Sequence, residues 1–589
     1  MNENKYTQDR QTDRQTDRQK LCSHEWFVLL MLAMLVSWPF FSYQTILGHD
    51  IPFHLTRIES LKEGLLLGQF PVRLNGLQLN GYGTMDHTMY PHLFLYVPAV
   101  LSACGLPTLI AYNVMGILLN IVTVFATWWA FRNLISDRFA AMLATSIYAC
   151  FLYRLVDLFS RSAVGEAWSM AFFPMALVSF SLLCQGKKEV WLYVLLSWSA
   201  ILQSHIISSL FLVISAAAVF AFHIMRDGIR VTVWLNWKYL IFTASGLLFL
   251  NVWFYGPWLY SYFTMSFPMK GVVHSTLSGA TFKNPLSFQW LLGIPFLIMT
   301  IVLIGDTIHC SIAMNSVRCF WKDRKSFMLL LLGLVFTFAM SPHFPWKMFD
   351  QVFSFMQFPF RLMMLSSICL SVWAGIRLSS WLRPSHYRKV IASFLILAML
   401  ALNFSILKHN ELSGEFTSGN KTSFGLNKSH FSPQALSDAE LPIDYLNPNY
   451  SDYTYRDDEP LVRKKWIKSV RQVFPRYTLL TDTTIISYEQ KHNLANILYQ
   501  ATSDGYITLP MIYYPGYMAH DEDGKGVKIN ETIPAHQMKL LVMAGNHTIH
   551  VRYEPPYWYS VLDWIAVITL LFLAFQYCYE CKKRESNRI

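Results

Sequence analysis

Charged side chains are scarce in this chain of 589 residues. Asp, Glu, Lys and Arg make up 14% of it, and hydrophobic residues make up 53%. About a quarter of the residues of an ordinary soluble domain are charged, so this composition excludes an ordinary soluble globular protein. Apolar runs of about 17–25 residues recur along the chain, and a helix of that length crosses a bilayer. The sequence therefore predicts a polytopic membrane protein.

Several chemical signatures are also missing. None of the nine cysteines lies between Asn403 and Tyr557, the one long polar region, so its core must be sufficient without a disulfide. The sequence contains no HExxH, Walker loop, GxGxxG or GxSxG motif, which are the usual signatures of zinc proteases, P-loop enzymes, dinucleotide-binding proteins and serine hydrolases. The net charge of +11 is spread over short loops and forms no single basic face, so nucleic acid is not a predicted partner.

The basic loops predict the topology, because Lys and Arg collect on the cytoplasmic side of membrane proteins. They predict a multi-pass protein of the cell membrane with both termini in the cytoplasm. The predicted domains are a disordered cytoplasmic leader over residues 1–23, a transmembrane domain over 24–407, an extracytoplasmic β-rich domain over 408–557, and a final transmembrane helix with a cytoplasmic tail over 558–589.

This map contains about twelve crossings. His92–Cys104 is interpreted as a re-entrant half-helix, because this keeps every later basic loop inside. The crossings are Trp26–Leu47, Leu106–Phe131, Phe139–Tyr153, Ala163–Cys184, two within Val190–Phe222, Tyr239–Phe263, Phe288–Ile304, Ser326–Met340, Arg361–Ile376, Val390–Leu407 and Val561–Tyr577.

The long polar region has the composition of a β structure. Tyr506–Met511, Lys539–Met543 and His547–Tyr553 are rich in strand-forming or alternating residues. The dipeptides Asp523-Gly524 and Gly545-Asn546 are turn signals. These features predict a small β-sandwich on the outer face of the membrane.

The first external loop, residues 48–91, carries an ionisable row. Apolar residues at helical spacing from Ile51 predict a helix that begins near Pro52. Asp50, His54 and Arg57 lie at spacings of four and three, so they share a different face of that helix. Two interpretations stay open at this point: the row is the solvated face of an interfacial helix, or it is part of a functional site.

Further ionisable residues lie at or inside apolar segments on the predicted outer side. Ionisable groups at membrane depth are costly and suggest function, but each has a structural alternative. Glu166 can be an acid favoured by a helix N-terminus, and His205 can be a structural hydrogen-bonding group. Arg154, Arg161 and Arg361 can extend along apolar surface toward water, or they can bind the phosphate of a lipid headgroup.

The order of several segments resembles the GT-C superfamily of polytopic glycosyltransferases. PFHLTRIESLKEGLLLGQFPVR after an external Asp is similar to the first external loop of that superfamily. The segments YPHLFLYVPAVLSACGL, YRLVDLFSRSAVGEAWSMAFFPMAL, SHIISSL, MQFPFRLM and IYYPGYMAHDEDGK together resemble its bacterial YfhO-like branch. They also resemble membrane proteins labelled with a 6-pyruvoyl-tetrahydropterin synthase-related domain, although nothing in the chain resembles a soluble pterin enzyme.

The resemblance implies a mainly α, GT-C-like fold and an enzyme that transfers a sugar from a polyprenyl-phosphate donor to a cell-envelope acceptor outside the membrane. Asp50 matches the acidic residue that the family uses as general base or to orient the acceptor. The superfamily includes members with and without a divalent metal, and this sequence indicates no metal ligands, so the cofactor is left open. The resemblance implies substrate-binding roles for His54, Arg57, Arg154, Arg161, Glu166, His205, Gln357 and Arg361.

Two other classes of function compete with this one. A chain with about twelve crossings can be a transporter or flippase for lipid-linked glycan precursors, and inverted repeats would support that class. The sequence shows no internal repeat, and its ionisable residues cluster on one face. A third class is a non-catalytic scaffold whose β-rich domain binds envelope polysaccharide. The sequence does not identify the sugar, the acceptor or the oligomeric state.

Overall fold

A computed structural model of the chain shows a mainly helical protein with a small C-terminal β region. The structure describes residues 23–41, 50–79, 81–265, 324–340, 344–349, 353, 356, 358–383, 385–413, 480–481, 484–532 and 536–586. The predicted leader (apart from Ser23), the crossing Phe288–Ile304 and Gln357 lie outside these residues.

The described ranges contain sixteen α-helices, and two of them continue directly as π-helices. They are α1 (Ser23–Val36), α2 (Trp38–Phe41), α3 (Ile51–Leu66), α4 (Asp86–Met89), α5 (Tyr96–Ala103), α6 (Thr108–Leu134), α7 (Arg138–Ala149), α8 (Leu152–Leu155, continued as a π-helix over Val156–Arg161), α9 (Val164–Cys184), α10 (Trp191–Leu202), α11 (Ile206–Ile229, followed by a π-helix over Arg230–Trp234), α12 (Trp237–Thr264), α13 (Arg324–Ala339), α14 (Met363–Leu382), α15 (Arg388–Ser413) and α16 (Tyr557–Ser586).

Seven helices in the described ranges are long and apolar enough to cross a membrane, and the bent pair of α7 and α8 makes up to eight. The multi-pass character predicted from composition is therefore confirmed. α1, α10 and α13 fall on predicted crossings but are shorter than about 17 residues, the lower limit for a spanning helix. The count of about twelve stays a prediction.

The first predicted crossing, Trp26–Leu47, is not one continuous helix. α1 ends at Val36, and the short α2 follows after Ser37. Pro39 lies just beyond this break. Proline has no backbone N–H and its ring crowds the preceding turn, so a helix bends or ends before it.

The helices pack closely where small residues face one another. α9 packs between α6 and α10, α14 packs on α7, and α16 packs on α12. A Cβ atom at Gly375 of α14 would lie 2.6 Å from the backbone nitrogen of Ala144 in α7. Glycine therefore permits the approach of two backbones, as is common between membrane helices.

The β region consists of two four-stranded sheets, as predicted in outline. The strand order is β1-β4-β7-β6 in one sheet and β2-β3-β8-β5 in the other, and all pairs are antiparallel. The strands are β1 (Leu480–Thr481), β2 (Thr484–Lys491), β3 (Leu494–Ala501), β4 (Gly505–Ile512), β5 (Tyr517–Asp521), β6 (Ile529–Glu531), β7 (Gln537–Val542) and β8 (Gly545–Tyr553).

Both sheets contribute alternate residues to one hydrophobic core, so they pack face to face as a sandwich. Ile497 and Val551 come from one sheet, and Leu509 and Leu540 from the other. The three predicted strands are β4, β7 and β8, and the predicted turn at Gly524 has a positive φ of 78°. Residues of the first loop, including Tyr82, belong to the same core.

The loop of residues 50–91 lies between the helical bundle and the β region. α3 begins after Asp50 with proline in its first turn, and Ile51, Leu55 and Ile58 are buried in the core of the bundle. The polar row of this helix is also buried, because His54 is 2% exposed and Arg57 is 0% exposed. The first of the two interpretations, a solvated interfacial face, is therefore wrong.

Candidate functional site

Asp50 lies at the start of α3, and its backbone is hydrogen-bonded to the π-helical end of α8. Its N–H donates to the carbonyl oxygen of Arg161 at 2.9 Å, and its own carbonyl accepts from the N–H of His54 at 3.0 Å. Its carboxylate makes no capping hydrogen bond to the helix, although Asp is a preferred residue for that role. The side chain is half-buried. Helix capping therefore does not account for an acid at this position.

The π-helical end of α8 carries two charged residues, Asp157 and Arg161. Val156–Arg161 is a π-helix, and Ser162 ends it in the left-handed conformation with φ of 55°. The Arg161 guanidinium donates to the Asp157 carboxylate, which is fully buried. Single π-helical turns occur frequently at functional sites because they re-aim side chains relative to a regular helix.

Glu166 is hydrogen-bonded to three side chains near this turn. Its carboxylate accepts hydrogen bonds from the Tyr153 hydroxyl, from Arg161 Nη1 at 3.1 Å and from Arg361 Nε at 3.2 Å. It lies in the first turn of α9, as its structural alternative requires. An acid that is stabilised only by a helix N-terminus needs no side-chain donors, but Glu166 has three. The helix N-terminus therefore does not fully explain this residue.

Four of the predicted residues and Asp157 therefore lie in one buried or half-buried cluster, which we call the charge cluster: Asp50, Asp157, Arg161, Glu166 and Arg361. Two arginines face two fully buried carboxylates here. Isolated charges are very unfavourable in such a site, and pairing is the condition under which they persist.

His205 borders this cluster between α10 and α11. Its Nδ1 accepts from the Ser208 N–H at 3.3 Å and shares a hydrogen bond with the Ser208 hydroxyl at 2.8 Å, so the imidazole caps α11. Burial, and then the positive charge of Arg361, lowers the pKa of His205 to about 3. His205 therefore acts as a structural hydrogen-bonding group, and its neutral ring lies beside the charge cluster.

Arg57 and His54 approach the cluster from α3. Arg57 Nη2 donates to the carbonyl oxygens of Tyr90 at 2.9 Å and Pro91 at 3.1 Å, and its guanidinium lies 4.8 Å from the centre of the Tyr90 ring. Burial, and then the charge of Arg57, holds the pKa of His54 well below its ordinary value. The ring of Tyr90 also lies 6.0 Å from that of His205. Tyr90 therefore connects α3 to the charge cluster.

Arg154 is not brought to the cluster by any hydrogen bond the structure shows. Its guanidinium donates to the Ala149 carbonyl at 2.9 and 2.7 Å and to Asn120 Oδ1 at 2.8 Å. These bonds join α6 to the end of α7. Its predicted role in substrate binding stays a prediction, and Gln357 lies outside the described residues.

Sequence reasoning did not select Tyr90, Tyr153 or Gly165 as part of the site. A Cβ atom on Gly165 would lie 2.4 Å from the Ser204 carbonyl oxygen and 2.7 Å from the Tyr90 hydroxyl. The glycine that precedes Glu166 was an available signal, because glycine permits a close approach that a side chain would block.

In the described part of the chain, no three His, Cys, Asp or Glu side chains are arranged to hold a metal ion. The carboxylates of Asp157 and Glu166 instead accept from guanidinium groups. The chemistry of these residues is that of a charged, hydrogen-bonded site with a half-buried acid at its edge.

No protein-family model matches the sequence, and no curated protein matches it. Among solved structures, the chain is similar to the arabinofuranosyltransferase AftD from Mycobacteria, with a TM-score of 0.42 and 14% identity over 67% of this chain and 27% of that one. It is also similar to the Archaeoglobus fulgidus oligosaccharyltransferase in the apo form, with a TM-score of 0.40 and 13% identity over 75% of this chain and 63% of that one.

A third similar structure is the oligosaccharyltransferase AglB from Archaeoglobus fulgidus in complex with an inhibitory peptide and a dolichol-phosphate, with a TM-score of 0.38 and 13% identity over 75% of this chain and 63% of that one. The chain thus spans about a quarter of the length of AftD and less than two thirds of the oligosaccharyltransferases. Similarity at this level assigns neither a family nor a substrate to the chain.

Proposed function

We propose that this protein is an integral membrane glycosyltransferase of the GT-C type. It transfers a sugar from a polyprenyl-phosphate donor to a cell-envelope acceptor on the extracytoplasmic face of the membrane. Asp50 is the general base or orients the acceptor, and the charge cluster with Arg57, His54 and His205 forms the substrate site.

The observation that carries this proposal is the position of Asp50. Its half-buried carboxylate is not used as a helix cap, and its backbone bond to Arg161 fixes it at the edge of the charge cluster. A group of paired charges within a helical bundle of membrane character is unfavourable for folding alone, and by default it suggests function. The sequence resemblance assigns the same residue to catalysis on separate grounds.

The chemistry follows from these charges. A carboxylate can accept the proton of an acceptor hydroxyl while that oxygen attacks the anomeric carbon of the sugar. The bond between that carbon and the lipid phosphate breaks, and the phosphate leaves as an anion. Guanidinium groups already oriented by Glu166 and Asp157 are suited to hold phosphate oxygens, because they require little rearrangement.

The test is the Asp50→Asn substitution in cells that lack the chromosomal gene. We expect sugar transfer to fall by about 10²–10⁴-fold, the usual contribution of a general acid or base, while the protein is made at the wild-type level. The measurement is mass spectrometry of cell-envelope glycans. Asp523→Asn, at an exposed turn of the β region, is the matched control and should transfer normally.

Full restoration of the glycan profile by the Asp50→Asn protein would contradict the proposal. A flippase would instead change which leaflet holds the lipid-linked sugar, and a polysaccharide-binding scaffold would be nearly indifferent to the substitution.

A further inference from the structure

The hairpin between β2 and β3 ends in a turn that uses an unfavourable residue. Lys491 pairs with Leu494, so His492 and Asn493 form a two-residue turn. His492 has a φ of 55°. Turns of this length need positive φ at the first central residue, where glycine is preferred and a side chain with a Cβ atom is disfavoured. A histidine at this position therefore suggests that its side chain is needed.

The side chain of His492 is buried in the first loop and not exposed at a hairpin tip. The residue is 3% exposed, and its Nε2 shares a hydrogen bond of 2.7 Å with the hydroxyl of Ser60 in α3. The backbone of the turn also contacts the loop closely, because a Cβ atom at Gly76 would lie 2.4 Å from the carbonyl carbon of His492.

Other polar bonds seat the β region on the same loop. The amides of Asn493 and Gln69 exchange two hydrogen bonds, at 2.7 and 3.3 Å. Gln490 Nε2 donates to the Gly81 carbonyl at 2.7 Å. The hairpin tip is thus held by several directed bonds, which fix its orientation more strongly than apolar contact alone.

Ser60 belongs to the polar row that begins at the candidate active site. His54, Arg57 and Ser60 follow one another at spacings of three residues, and Asp50 lies one turn before His54. At 1.5 Å per residue, the row extends over about 15 Å from Asp50 to Ser60. The N-terminal end of α3 therefore lies at the charge cluster, and the β region is hydrogen-bonded to the middle of the same helix.

We propose that His492 is a positioning residue, and that the β2–β3 hairpin sets the orientation of α3 and through it the placement of Asp50, His54 and Arg57. The β region then contributes to the geometry of the active site. The catalytic consequence rests on the proposed function, whereas the mechanical coupling does not.

Hydrogen–deuterium exchange of the full-length protein in nanodiscs tests the coupling. In His492→Gly, the turn is relieved of its strain but loses the bond to Ser60, and we expect the amides of residues 51–66 to exchange about three- to tenfold faster. His536→Gly is the matched control. His536 also has a positive φ, 51°, in the same β region, but its Nδ1 lies 3.2 Å from Glu531.

A second variant keeps the test decisive if the altered hairpin folds poorly. Ser60→Ala removes the other partner and leaves the turn unchanged, so it should accelerate exchange over the same residues. Ser60→Ala also removes the 3.3 Å hydrogen bond between the Ser60 hydroxyl and His87 Nε2, so its effect should be at least as large as that of His492→Gly. The double variant should show no more than the Ser60→Ala effect, because the Ser60–His492 bond is already lost in each single variant. Wild-type exchange of residues 51–66 in both single variants, or equal acceleration by His536→Gly, would overturn the proposal.

A kinetic measurement separates positioning from simple stability. With purified protein and a polyprenyl-phosphate sugar, His492→Gly should lower kcat by about tenfold at an unchanged KM for the donor, because misorientation of a catalytic group affects the transition state most. His492→Gln, which keeps a hydrogen-bonding amide at similar reach, should restore most of kcat. An absence of transfer by the wild-type protein would count against the proposed function, and the exchange experiment would then decide the coupling alone. A lower kcat of His492→Gly that His492→Gln does not restore would overturn the positioning role.

Discussion

Glu166 is the residue on which the stability of the charge cluster depends most directly. Its carboxylate faces two guanidinium groups and one phenol; Tyr153 and Arg161 belong to α8, whereas Arg361 lies just before α14. Removal of one partner from a buried charged network is strongly destabilising because the remaining charges cannot be solvated.

Glu166→Gln tests this network at the scale of one residue. The amide keeps the size of the side chain but removes its charge, so we expect the free energy of unfolding to fall by about 3–5 kcal/mol. The measurement is denaturant unfolding in detergent micelles. Glu189→Gln, on an exposed side chain, should change it by no more than about 0.5 kcal/mol. A loss for Glu166→Gln as small as that of the control would show that the cluster is solvated.

The sequence predicted the cluster in part. Arg161, Glu166 and Arg361 are ionisable residues at apolar segments, and their cost in a membrane made them candidates. Arg154 lies seven residues before Arg161, a spacing that puts two residues on one face of a regular helix. The π-helical turn between them changes their relative direction, and no pattern of single residues reveals such a turn. Tyr90 and Tyr153 were missed because neutral aromatics are common in this chain, at 16% of all residues.

At the scale of elements, the site depends on the close approach of α9 to the turn before α11. Gly165 is the point of contact, with the Ser204 carbonyl oxygen and the Tyr90 hydroxyl on the other side. Backbone oxygen cannot move aside as easily as the end of a flexible side chain. The helix and the turn must therefore separate if a methyl group is added.

Gly165→Ala tests this contact. Alanine favours a helix by about 1 kcal/mol over glycine, but the overlap should outweigh that gain and leave a net loss of about 1–3 kcal/mol. We expect a lower midpoint of thermal unfolding in detergent, together with loss of sugar transfer. Gly526→Ala, where nothing lies within 4 Å of the added atom, is the control. A variant more stable than the wild type would show that α9 and the turn are farther apart than the structure has them.

Long elements were more predictable than short ones. Hydropathy located the long spanning helices, because each must bury its backbone in lipid as a continuous apolar segment. The β3 segment, LANILYQA, contains residues common in helices, and its pairing with β2 and β8 makes it a strand. The break after α1 follows from the backbone geometry of Pro39, and a hydropathy profile does not predict it.

At the scale of the whole molecule, the contact between the first loop and the β region was not predictable from one sequence. Ser60 and His492 are 432 residues apart, and no periodicity links them. The sequence did place both in extracytoplasmic segments of the predicted map. That map itself stays a prediction, because the structure shows helices of spanning length but no membrane.

The contact is expected to depend on pH, because it buries ionisable groups of both kinds. Burial holds the pKa of His87, whose Nε2 lies 3.3 Å from the Ser60 hydroxyl, well below the ordinary value, and it lowers the pKa of His492 to about 4. Burial also raises the pKa of Asp86 to about 6. The histidines are therefore neutral in the docked protein and the aspartate is partly protonated near pH 6.

The two kinds of group act in opposite directions as the pH falls. A histidine with a lowered pKa takes up its proton more readily when undocked, so its contribution to stability is lost between its ordinary pKa of 6.5 and about 4. Asp86 takes up its proton more readily when docked, so the penalty for burying its charge is relieved as the pH falls from about 6 to its ordinary 3.8. Two histidines oppose one aspartate, so docking should weaken on acidification.

We therefore expect hydrogen exchange of residues 51–66 to accelerate as the pH is lowered from 7 toward 5, after correction for the intrinsic pH dependence of exchange. His492→Gln removes one titrating group and should reduce the slope of the opening free energy by up to about 1.4 kcal/mol per pH unit. His550→Gln, on the exposed face of the same sheet, should leave the slope unchanged. A slope that is equal in all three proteins would show that His492 does not titrate with docking.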